Sequence, residues 1–368
     1  MTKSLTILGG GNTAFAVAAN LTLRGYRVTL YELPAFAATL APIRATQTIH
    51  LVGVAEQGTA QIAHVTTNVQ EALENDLLLL IVPAYAHRAF AEVCAPHLRD
   101  GHTVVITPGT LGALEFGRIV RAHGNQHDIA FAETDTAPYV CRKTAPDTAT
   151  IWGVVAGLGL GVFPAHKTSV VADQLADIFT RNGRDDTSSA IVEYPNVIAC
   201  GLCAMNPVVH PAGVLMNAGR VEYSRGDFYF YEEGVTPAVV QVIYGVDAER
   251  QALGTAFGFQ LRPVDEVFHN AGFGPKGDLW ATINGSRMLT QLRAPGAMDT
   301  RWLTEDIPFG IGAWSALAKQ VGVATPLMDA LVTLAGVALS RDFHPTIRRP
   351  EDLGLVGMNT AEILRYVK

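Results

Sequence analysis

A glycine-rich turn between two apolar runs near the start of the chain constrains the fold more than any other feature. Residues 5–8 form a short β-favouring run, residues 14–24 are rich in Ala and Leu, and residues 26–31 form a second β-favouring run. The turn itself reads Gly9-x-Gly11-x-x-Ala14. A strand, a tight turn, a helix and a second strand make a βαβ unit, and this glycine spacing is the fingerprint of a dinucleotide site.

Each position of the turn has a physical role in this interpretation. The first glycine permits the tight turn, the second lets the backbone approach a pyrophosphate, and the helix N-terminus offers N–H groups to the phosphates. Glu32 follows the second run, where an acid accepts hydrogen bonds from ribose hydroxyls and would repel a 2′-phosphate, so the sequence favours NAD over NADP. The predicted cofactor-binding residues are Gly9, Gly11, Asn12, Thr13, Ala14, Glu32 and Pro83. The alternative is a purely structural βαβ turn.

Apolar runs alternate with helical segments through the first half of the chain. Residues 77–82, 103–107 and 129–133 predict strands, with helices at 87–98, 111–122 and 167–179. Residues 48–53 and 59–65 predict a short β excursion, and residues 150–156 and the stretch around Val162 predict edge strands. The fold class is therefore α/β, a Rossmann-like doubly wound parallel sheet, with loops 83–87, 108–112 and 133–142 at its ligand-binding edge.

From about residue 196 helical periodicity dominates. Val239, Val242, Ile243 and Val246 recur at helical spacing, and residues 237–257, 308–321 and 326–339 each begin with a proline that suits a first helical turn. Thr360 is predicted to cap the last helix. The 368 residues therefore divide into a Rossmann domain, residues 1–190, and an all-α domain, residues 191–368, with a hinge near residues 185–195.

Charge and cysteine content argue against several classes of protein. The formal net charge is -7, which disfavours nucleic acid or an anionic membrane as a partner. The longest apolar stretch, residues 151–165, is interrupted and too short to span a bilayer. Four cysteines are too few for a disulfide framework, and Cys200 and Cys203 are interpreted as two core thiols. With only four residues before the first strand no leader is expected, and the predicted location is cytoplasmic.

One histidine of the second half stands between two prolines. In the stretch NPVVHP at 206–211, Pro211 disfavours a helical backbone at His210, which predicts that the ring lies at a helix break. Histidine is the usual acid or base near neutral pH, although a packed or capping histidine fits the same pattern. No H-E-x-x-H, G-x-S-x-G or P-loop motif occurs in the sequence, so no metal site is predicted and hydride transfer is indicated.

Arg301 and Asp306 form a second candidate pair, five residues apart and just before the helix predicted from residue 308. Asp306 could orient the imidazole of His210 or merely cap that helix. Arg301 offers a planar fork for a substrate carboxylate, or a surface ion pair. Arg142 could bind an anion or brace its loop, and Trp280 could stack on a cationic side chain or fill a core.

Together these segments resemble the NAD-dependent opine dehydrogenase family, of the octopine, nopaline and N-(1-carboxyethyl)norvaline type. The resemblance covers nearly the whole chain. It rests on the glycine turn and on PGT at 108–110, GALEF at 112–116, ETDTAPYVCR at 133–142, NPVVHP at 206–211, LMN at 215–217, FYFYEEGVTP at 228–237, DAER at 247–250, RWLTED at 301–306 and VATPLMD at 323–329. The histidine stretch followed by the Arg–Asp stretch is its more specific part.

The resemblance implies an enzyme that joins the amine of an L-amino acid to a 2-oxo acid, usually pyruvate, and reduces the imine with NADH. It implies that His210 is the acid or base, Asp306 its partner and Arg301 the grip on a substrate carboxylate, with Asn217 also at the substrate. Residues 270–293 match nothing in the family pattern, so the amino acid is left open, as is a homodimer. The alternatives are a reductase of a simple 2-oxo acid, related to the ketopantoate reductases, and a non-catalytic NAD-binding protein.

Overall fold

The structure is a computed structural model that describes residues 3–180 and 188–368. Its strands are β1 (Ser4–Leu8), β2 (Arg27–Tyr31), β3 (Thr48–Gly53), β4 (Gly58–Gln61), β5 (His64–Thr66), β6 (Leu77–Leu80), β7 (Thr103–Ile106), β8 (Ala130–Thr134), β9 (Tyr139–Ala145), β10 (Thr148–Val154), β11 (Leu158–Phe163) and β12 (Ile191–Glu193). Its helices are α1 (Asn12–Leu23), α2 (Ala41–Arg44), α3 (Val69–Ala72), α4 (His87–Cys94), α5 (Gly112–Ala122), α6 (Thr168–Ala176), α7 (Val197–Gly201), α8 (Asn206–Met216), α9 (Ala218–Ser224), α10 (Pro237–Ala256), α11 (Val264–Asn270), α12 (Leu279–Asn284), α13 (Arg301–Thr304), α14 (Gly312–Gln320), α15 (Pro326–Leu339), α16 (Pro350–Leu353) and α17 (Thr360–Tyr366).

The larger sheet has the strand order β12-β11-β8-β7-β6-β1-β2-β5. Its neighbouring strands run parallel except for β8 and β11, which are antiparallel. Strand β1 pairs with β2 on one side and β6 on the other, so the winding of the sheet reverses beside the glycine turn. A reversal of this kind opens a crevice at the carboxyl ends of the strands, where dinucleotides bind. The predicted Rossmann-like fold class is confirmed.

A second sheet, in the order β4-β3-β10-β9, covers the other side of α1. The residues from Ala14 to Leu21 are all buried, which explains why this part of α1 is mostly apolar, and the buried Asn20 side chain donates to the hydroxyl of Tyr139 at 2.8 Å. Two predictions need correction here. The run at 59–65 is two strands, β4 in the small sheet and β5 at the edge of the large one, and β10 pairs with β3 and β9 instead of extending the large sheet.

The chain divides into two compact units, Met1–Gly201 with Lys368, and Leu202–Val367. The first unit extends past the predicted boundary at residue 190 because β12 forms parallel hydrogen bonds with β11. Part of the predicted hinge, residues 185–187, lies outside the described residues. The segment Val197–Met216 has the length and composition of a membrane span, but 94% of it is buried inside the protein, as in a core helix.

The second unit is helical, as predicted. Helix α10 buries Val239, Ile243 and Val246 on one face. The last helix is capped by Asn359, whose side chain accepts from the N–H of Glu362 at 3.1 Å while the Glu362 side chain accepts from Asn359 N–H at 2.8 Å. The prediction of Thr360 as the cap was one residue late, because Thr360 is already the first helical residue.

The DAER stretch forms part of the core of this unit. Arg250 is fully buried, and its Nε donates to Asp247 at 2.8 Å while its Nη1 donates to the carbonyl of Leu202 at 3.0 Å. The carboxylate of Glu249 accepts the two backbone N–H groups of residues 327 and 328, in the first turn of α15, at 2.7 and 2.9 Å. These charged side chains therefore hold the helices together.

Candidate active site

The glycine turn leaves the start of α1 open to a ligand. Gly9 has a φ of +122°, and a Cβ there would lie 2.6 Å from the carbonyl oxygen of Ile81, so the position requires glycine. Gly11 is exposed, a Cβ on it would meet no atom within 4 Å, and no side chain caps the helix that begins at Asn12. The uncapped N–H groups and the close backbone approach fit the pyrophosphate of a dinucleotide.

Glu32, directly after β2, reaches back to this turn. Its Oε2 accepts a hydrogen bond from Gly10 N–H at 2.7 Å, and its Oε1 accepts one from Leu33 N–H at 2.8 Å. Glu32 is 6% exposed, and burial raises the pKa of its carboxyl while the two backbone donors partly offset that rise. Each carboxylate oxygen has a second lone pair, so acceptors remain for the ribose hydroxyls.

Strand β9 brings a lysine to the first turn of α1. The N–H of Lys143 donates to the side chain of Asn12 at 2.9 Å, and its Nζ lies 3.5 Å from the centroid of the Phe15 ring. Burial lowers the pKa of this ammonium group. Thr13 is contacted from the same strand, by the thiol of Cys141 at 3.7 Å. A half-buried cation thus stands beside the predicted phosphate site.

A buried carboxylate holds the loop that follows β7. Glu133 on β8 is fully buried and accepts from the N–H groups of Leu111 at 2.8 Å and Ala113 at 2.9 Å. Thr110 and Leu111 have φ angles of +49° and +68°, which are unusual for residues with a side chain. This loop and Pro83, just after β6, lie at the carboxyl ends of neighbouring strands, where the sequence predicts ligand contacts.

His210 lies inside a helix, so the predicted helix break was wrong. Helix α8 continues through Pro211, although that proline removes the N–H that would bond the carbonyl of Pro207. All residues from Pro207 to Val214 are buried. Burial of this apolar segment outweighs the local preference of the residue before a proline for extended backbone.

Both ring nitrogens of His210 are engaged. Nδ1 lies 2.8 Å from Oδ2 of Asp306, and Nε2 lies 3.1 Å from the hydroxyl of Tyr231. An ionised carboxylate can only accept, so Nδ1 carries the proton in the neutral ring and Nε2 presents its lone pair to the Tyr231 O–H. Burial, and secondarily the charge of Asp306, raises the pKa of Tyr231 and keeps its hydroxyl protonated.

Aromatic rings fix the position of this imidazole. The ring of Trp302 stacks on that of His210, with centroids 4.3 Å apart and planes 6° apart. Phe230 packs against Trp302 with centroids 4.6 Å apart. A Cβ at Gly213, one turn after His210, would lie 2.5 Å from the Phe230 ring, so glycine permits this close packing. Phe230 begins one π-helical turn, Phe230–Gly234, and Asp306 begins another, Asp306–Ile311, and such turns are frequent at functional sites.

Arg301 begins α13, immediately before Trp302. Its side chain is 60% exposed, and its Nε lies 2.7 Å from a carboxylate oxygen of Glu305, which is 14% exposed. The arrangement places a guanidinium group at the surface with a carboxylate already on one edge. A substrate carboxylate would compete with Glu305 for this cation.

Three further residues were predicted to bind substrate, namely Asn217, Trp280 and Arg142. The amide nitrogen of Asn217 donates to the carbonyls of Gly213 and Gly234, each at 2.9 Å, and so joins α8 to the first π-helical turn. Trp280, on α12, is 44% exposed. Arg142 is exposed on β9 in the first unit. Their substrate roles stay predictions.

Three side chains at these sites, Tyr231, Trp302 and Lys143, are missing from the residues predicted from sequence. Tyr231 and Trp302 lie within the FYFYEEGVTP and RWLTED stretches, which are the signal that could have pointed to them. Cys200 and Cys203 are buried thiols that take part in no disulfide, which confirms the interpretation as core thiols. Among residues 3–180 and 188–368, no group of three His, Cys, Asp or Glu side chains could hold a metal ion.

Comparisons with known proteins show which family and fold the chain shares. Residues 193–339 match a family model described as NAD/NADP octopine/nopaline dehydrogenase, alpha-helical domain. The chain is 30% identical to the opine dehydrogenase of Arthrobacter sp. (strain 1C), covering 100% of this chain and 99% of that one, and 24% identical to vitopine synthase of Allorhizobium ampelinum, covering 98% of each. Its fold is similar to that of octopine dehydrogenase solved with NADH and L-arginine, with a TM-score of 0.77, 18% identity, and coverage of 100% of this chain and 98% of that chain.

Proposed function

The chain belongs to the opine dehydrogenase family of NAD(P)-dependent oxidoreductases, and from this premise we propose that it condenses an L-amino acid with a 2-oxo acid, first of all pyruvate, and reduces the imine with NADH. The product is an N-(1-carboxyalkyl) amino acid, and the reaction is reversible. The observation that carries the proposal is the contact of 2.8 Å between His210 and Asp306, in the helical unit that the family model covers.

His210 supplies or accepts the proton. In the reductive direction the imidazolium form gives up the proton that the forming secondary amine takes, and in the oxidative direction the neutral ring accepts it. Asp306 holds the Nδ1 proton and stabilises the imidazolium form. A positioned acid or base of this kind contributes roughly 10²- to 10⁴-fold to the rate.

Arg301 binds a substrate carboxylate through its guanidinium fork, and the substrate takes the edge that Glu305 otherwise occupies. Trp280 stacks on a cationic side chain of the amino acid, Asn217 accepts through its carbonyl oxygen, and Arg142 binds a further anionic group. Holding two reactants in this way lowers the barrier by about 7–11 kcal/mol relative to free encounter.

The residues of the first unit fit NADH. When bound, the nicotinamide supplies the hydride. The uncapped start of α1 supports a pyrophosphate site, and the free lone pairs of the Glu32 carboxylate support a ribose site. The residues that hold the cofactor are Gly9, Gly11, Asn12, Thr13, Ala14, Glu32 and Pro83. NADP is disfavoured because its 2′-phosphate would face the Glu32 carboxylate.

Oxidation of NADH with pyruvate and a panel of L-amino acids tests the proposal. We expect oxidation only when both reactants are present, with a product whose mass equals the two reactants minus water plus two hydrogens. Oxidation with pyruvate alone would instead indicate a reductase of a simple 2-oxo acid. NADH binding without turnover of any pair would indicate a non-catalytic NAD-binding protein.

The proposed reaction also determines which partners and which location we expect. We expect the partners to be the amino acid, the 2-oxo acid and NADH, with no nucleic acid or membrane partner, and we expect a cytoplasmic location. The net charge of -7 supports the exclusion of nucleic acid. A homodimer is left open for measurement by light scattering.

A further inference from the structure

A lysine on β9 is joined to the first residue of α1. The backbone N–H of Lys143 donates to the side-chain oxygen of Asn12 at 2.9 Å. Because that oxygen accepts from the strand, the amide nitrogen of Asn12 is left to donate elsewhere. The contact therefore places the backbone of Lys143, and an oriented amide donor, at the helix start where the pyrophosphate is expected.

Two contacts hold the ammonium group of Lys143 close to the glycine turn. Its Nζ lies 3.5 Å from the centroid of the Phe15 ring and 3.5 Å from the carbonyl oxygen of Thr39. Thr39 packs against the turn itself, since a Cβ at Gly10 would lie 2.5 Å from the Thr39 hydroxyl oxygen. The same Cβ would lie 3.1 Å from Oε2 of Glu32, so the ammonium group and the Glu32 carboxylate belong to one small region of the first unit.

The charge of Lys143 has no carboxylate partner among residues 3–180 and 188–368, whereas Lys3, in the same unit, pairs with Asp177. Lys143 is only partly exposed, and burial lowers the pKa of its ammonium group. A partly buried charge interacts more strongly with an anion than an exposed one does, because water and salt screen the contact less. An ammonium group has three N–H donors, and one long contact to a carbonyl leaves donors for a charged oxygen.

We propose that Lys143 binds the pyrophosphate of NADH, with its ammonium group as the counter-ion of a phosphate oxygen at the start of α1. The inference rests on the proposed use of NADH. The flexible four-carbon stem of lysine lets the ammonium group exchange the Thr39 carbonyl for a phosphate oxygen. The pyrophosphate is favoured over a 2′-phosphate because Lys143 is joined to Asn12 at the helix start, and because the Glu32 carboxylate would repel a 2′-phosphate.

The first test is the variant Lys143→Met, which removes the charge and keeps most of the apolar stem. We expect the Kd for NADH in a fluorescence titration to rise by about 10- to 100-fold, the range for a lost hydrogen bond to a charged group. NADPH and ADP-ribose carry the same pyrophosphate and should lose affinity by the same factor. Adenosine carries no phosphate, so its binding, measured by competition with NADH, should not change.

The matched control is Lys3→Met, the same change on an exposed lysine of the same unit, which should leave the Kd for NADH unchanged. Thermal unfolding of both variants shows whether they are folded. The dependence of the Kd on NaCl concentration then separates a charge contact from a structural brace. A contact with the pyrophosphate predicts a weaker salt dependence for Lys143→Met than for the wild type, and a brace predicts parallel dependences.

The outcomes distinguish the two proposals. A folded Lys143→Met protein with a Kd for NADH within about threefold of wild type, or with a parallel salt dependence, would overturn the assignment of Lys143. Loss confined to NADPH, or an equal loss for adenosine, would overturn it as well. A wild type that binds NADH through Lys143 but turns over no pair of reactants would overturn the proposed function alone, and a wild type that does not bind NADH would overturn both.

Discussion

The substitution Asp306→Asn tests the pairing on which the proton chemistry depends. Asparagine keeps the shape of the side chain next to Nδ1 of His210, where the present contact is 2.8 Å, but removes the charge. A carboxylate only accepts hydrogen bonds, which places the ring proton on Nδ1. An amide also donates, which allows the opposite tautomer, in which Nε2 carries the proton and has no lone pair to accept another.

The size of the effect follows from the environment of the pair. The side chains of His210 and Asp306 are 10% and 12% exposed, so water replaces little of a lost interaction. A hydrogen bond to a charged group contributes about 1.5–3 kcal/mol, and about 1.4 kcal/mol corresponds to a tenfold change in rate. We therefore expect kcat to fall by roughly 10- to 150-fold. The KM for NADH should not change, because the substitution leaves the glycine turn intact.

The assay is steady-state oxidation of NADH with pyruvate and the best amino acid of the panel. Asp299→Asn is the matched control, because Asp299 carries the same charge in the same unit and its side chain is 66% exposed. Thermal unfolding of both variants separates a catalytic loss from a loss of structure. A folded Asp306→Asn protein with kcat within threefold of wild type would refute the idea that Asp306 sets the state of His210.

Three further predictions concern other parts of the protein. Arg301→Ala should raise the KM for a carboxylate substrate by about 10- to 100-fold and leave kcat nearly constant, since a bidentate carboxylate contact is lost, and an unchanged KM would remove Arg301 from the site. Glu32→Ala should weaken NADH binding in a fluorescence titration and reduce the difference in affinity between NADH and NADPH. If that difference does not change, Glu32 does not contact the ribose. Burial raises the pKa of Asp135 to about 7, so the folded state favours the protonated carboxyl. The contribution of this group to stability is complete below its unfolded-state pKa of about 4 and is lost as the pH rises through about 7. Asp135→Asn should therefore lose less Tm than wild type between about pH 5 and about pH 8, and parallel Tm profiles would contradict this.

Much of the nucleotide-binding unit could be predicted because its signals are local. Three features can each be recognised from residues a few positions apart: the apolar run before Gly9, the small residues of α1 and the acid after β2. The second sheet was partly missed because strand pairing is set over long distances. Strand β10 pairs with β3, about a hundred residues earlier, and nothing in the alternation of either strand names its partner.

In the helical unit, tertiary packing decides features that local sequence patterns do not predict. Pro211 predicted a break at His210, but a local backbone preference is weaker than the burial of a whole helical turn, and the helix continues. Tyr231 and Trp302 are aromatic residues inside stretches that resemble the family, and no spacing rule separates an aromatic at a site from one in a core. Asp247 and Arg250 belong to another stretch that carries the resemblance, and in the structure they form an internal ion pair.

The cofactor site and the acid–base site around His210 depend on different kinds of structure, so they should differ in how they tolerate substitutions. The cofactor site depends on backbone features, namely the positive φ of Gly9 and the uncapped start of α1, and few side-chain substitutions elsewhere would alter them. The acid–base site around His210 depends on side-chain packing. Phe230 packs closely against Gly213, and Trp302 packs against Phe230. A substitution such as Gly213→Ala, which touches no reacting group, would push Phe230 and through it the ring stacked on His210. Loss of turnover with intact NADH binding is therefore the signature that we expect of packing changes anywhere in this aromatic group.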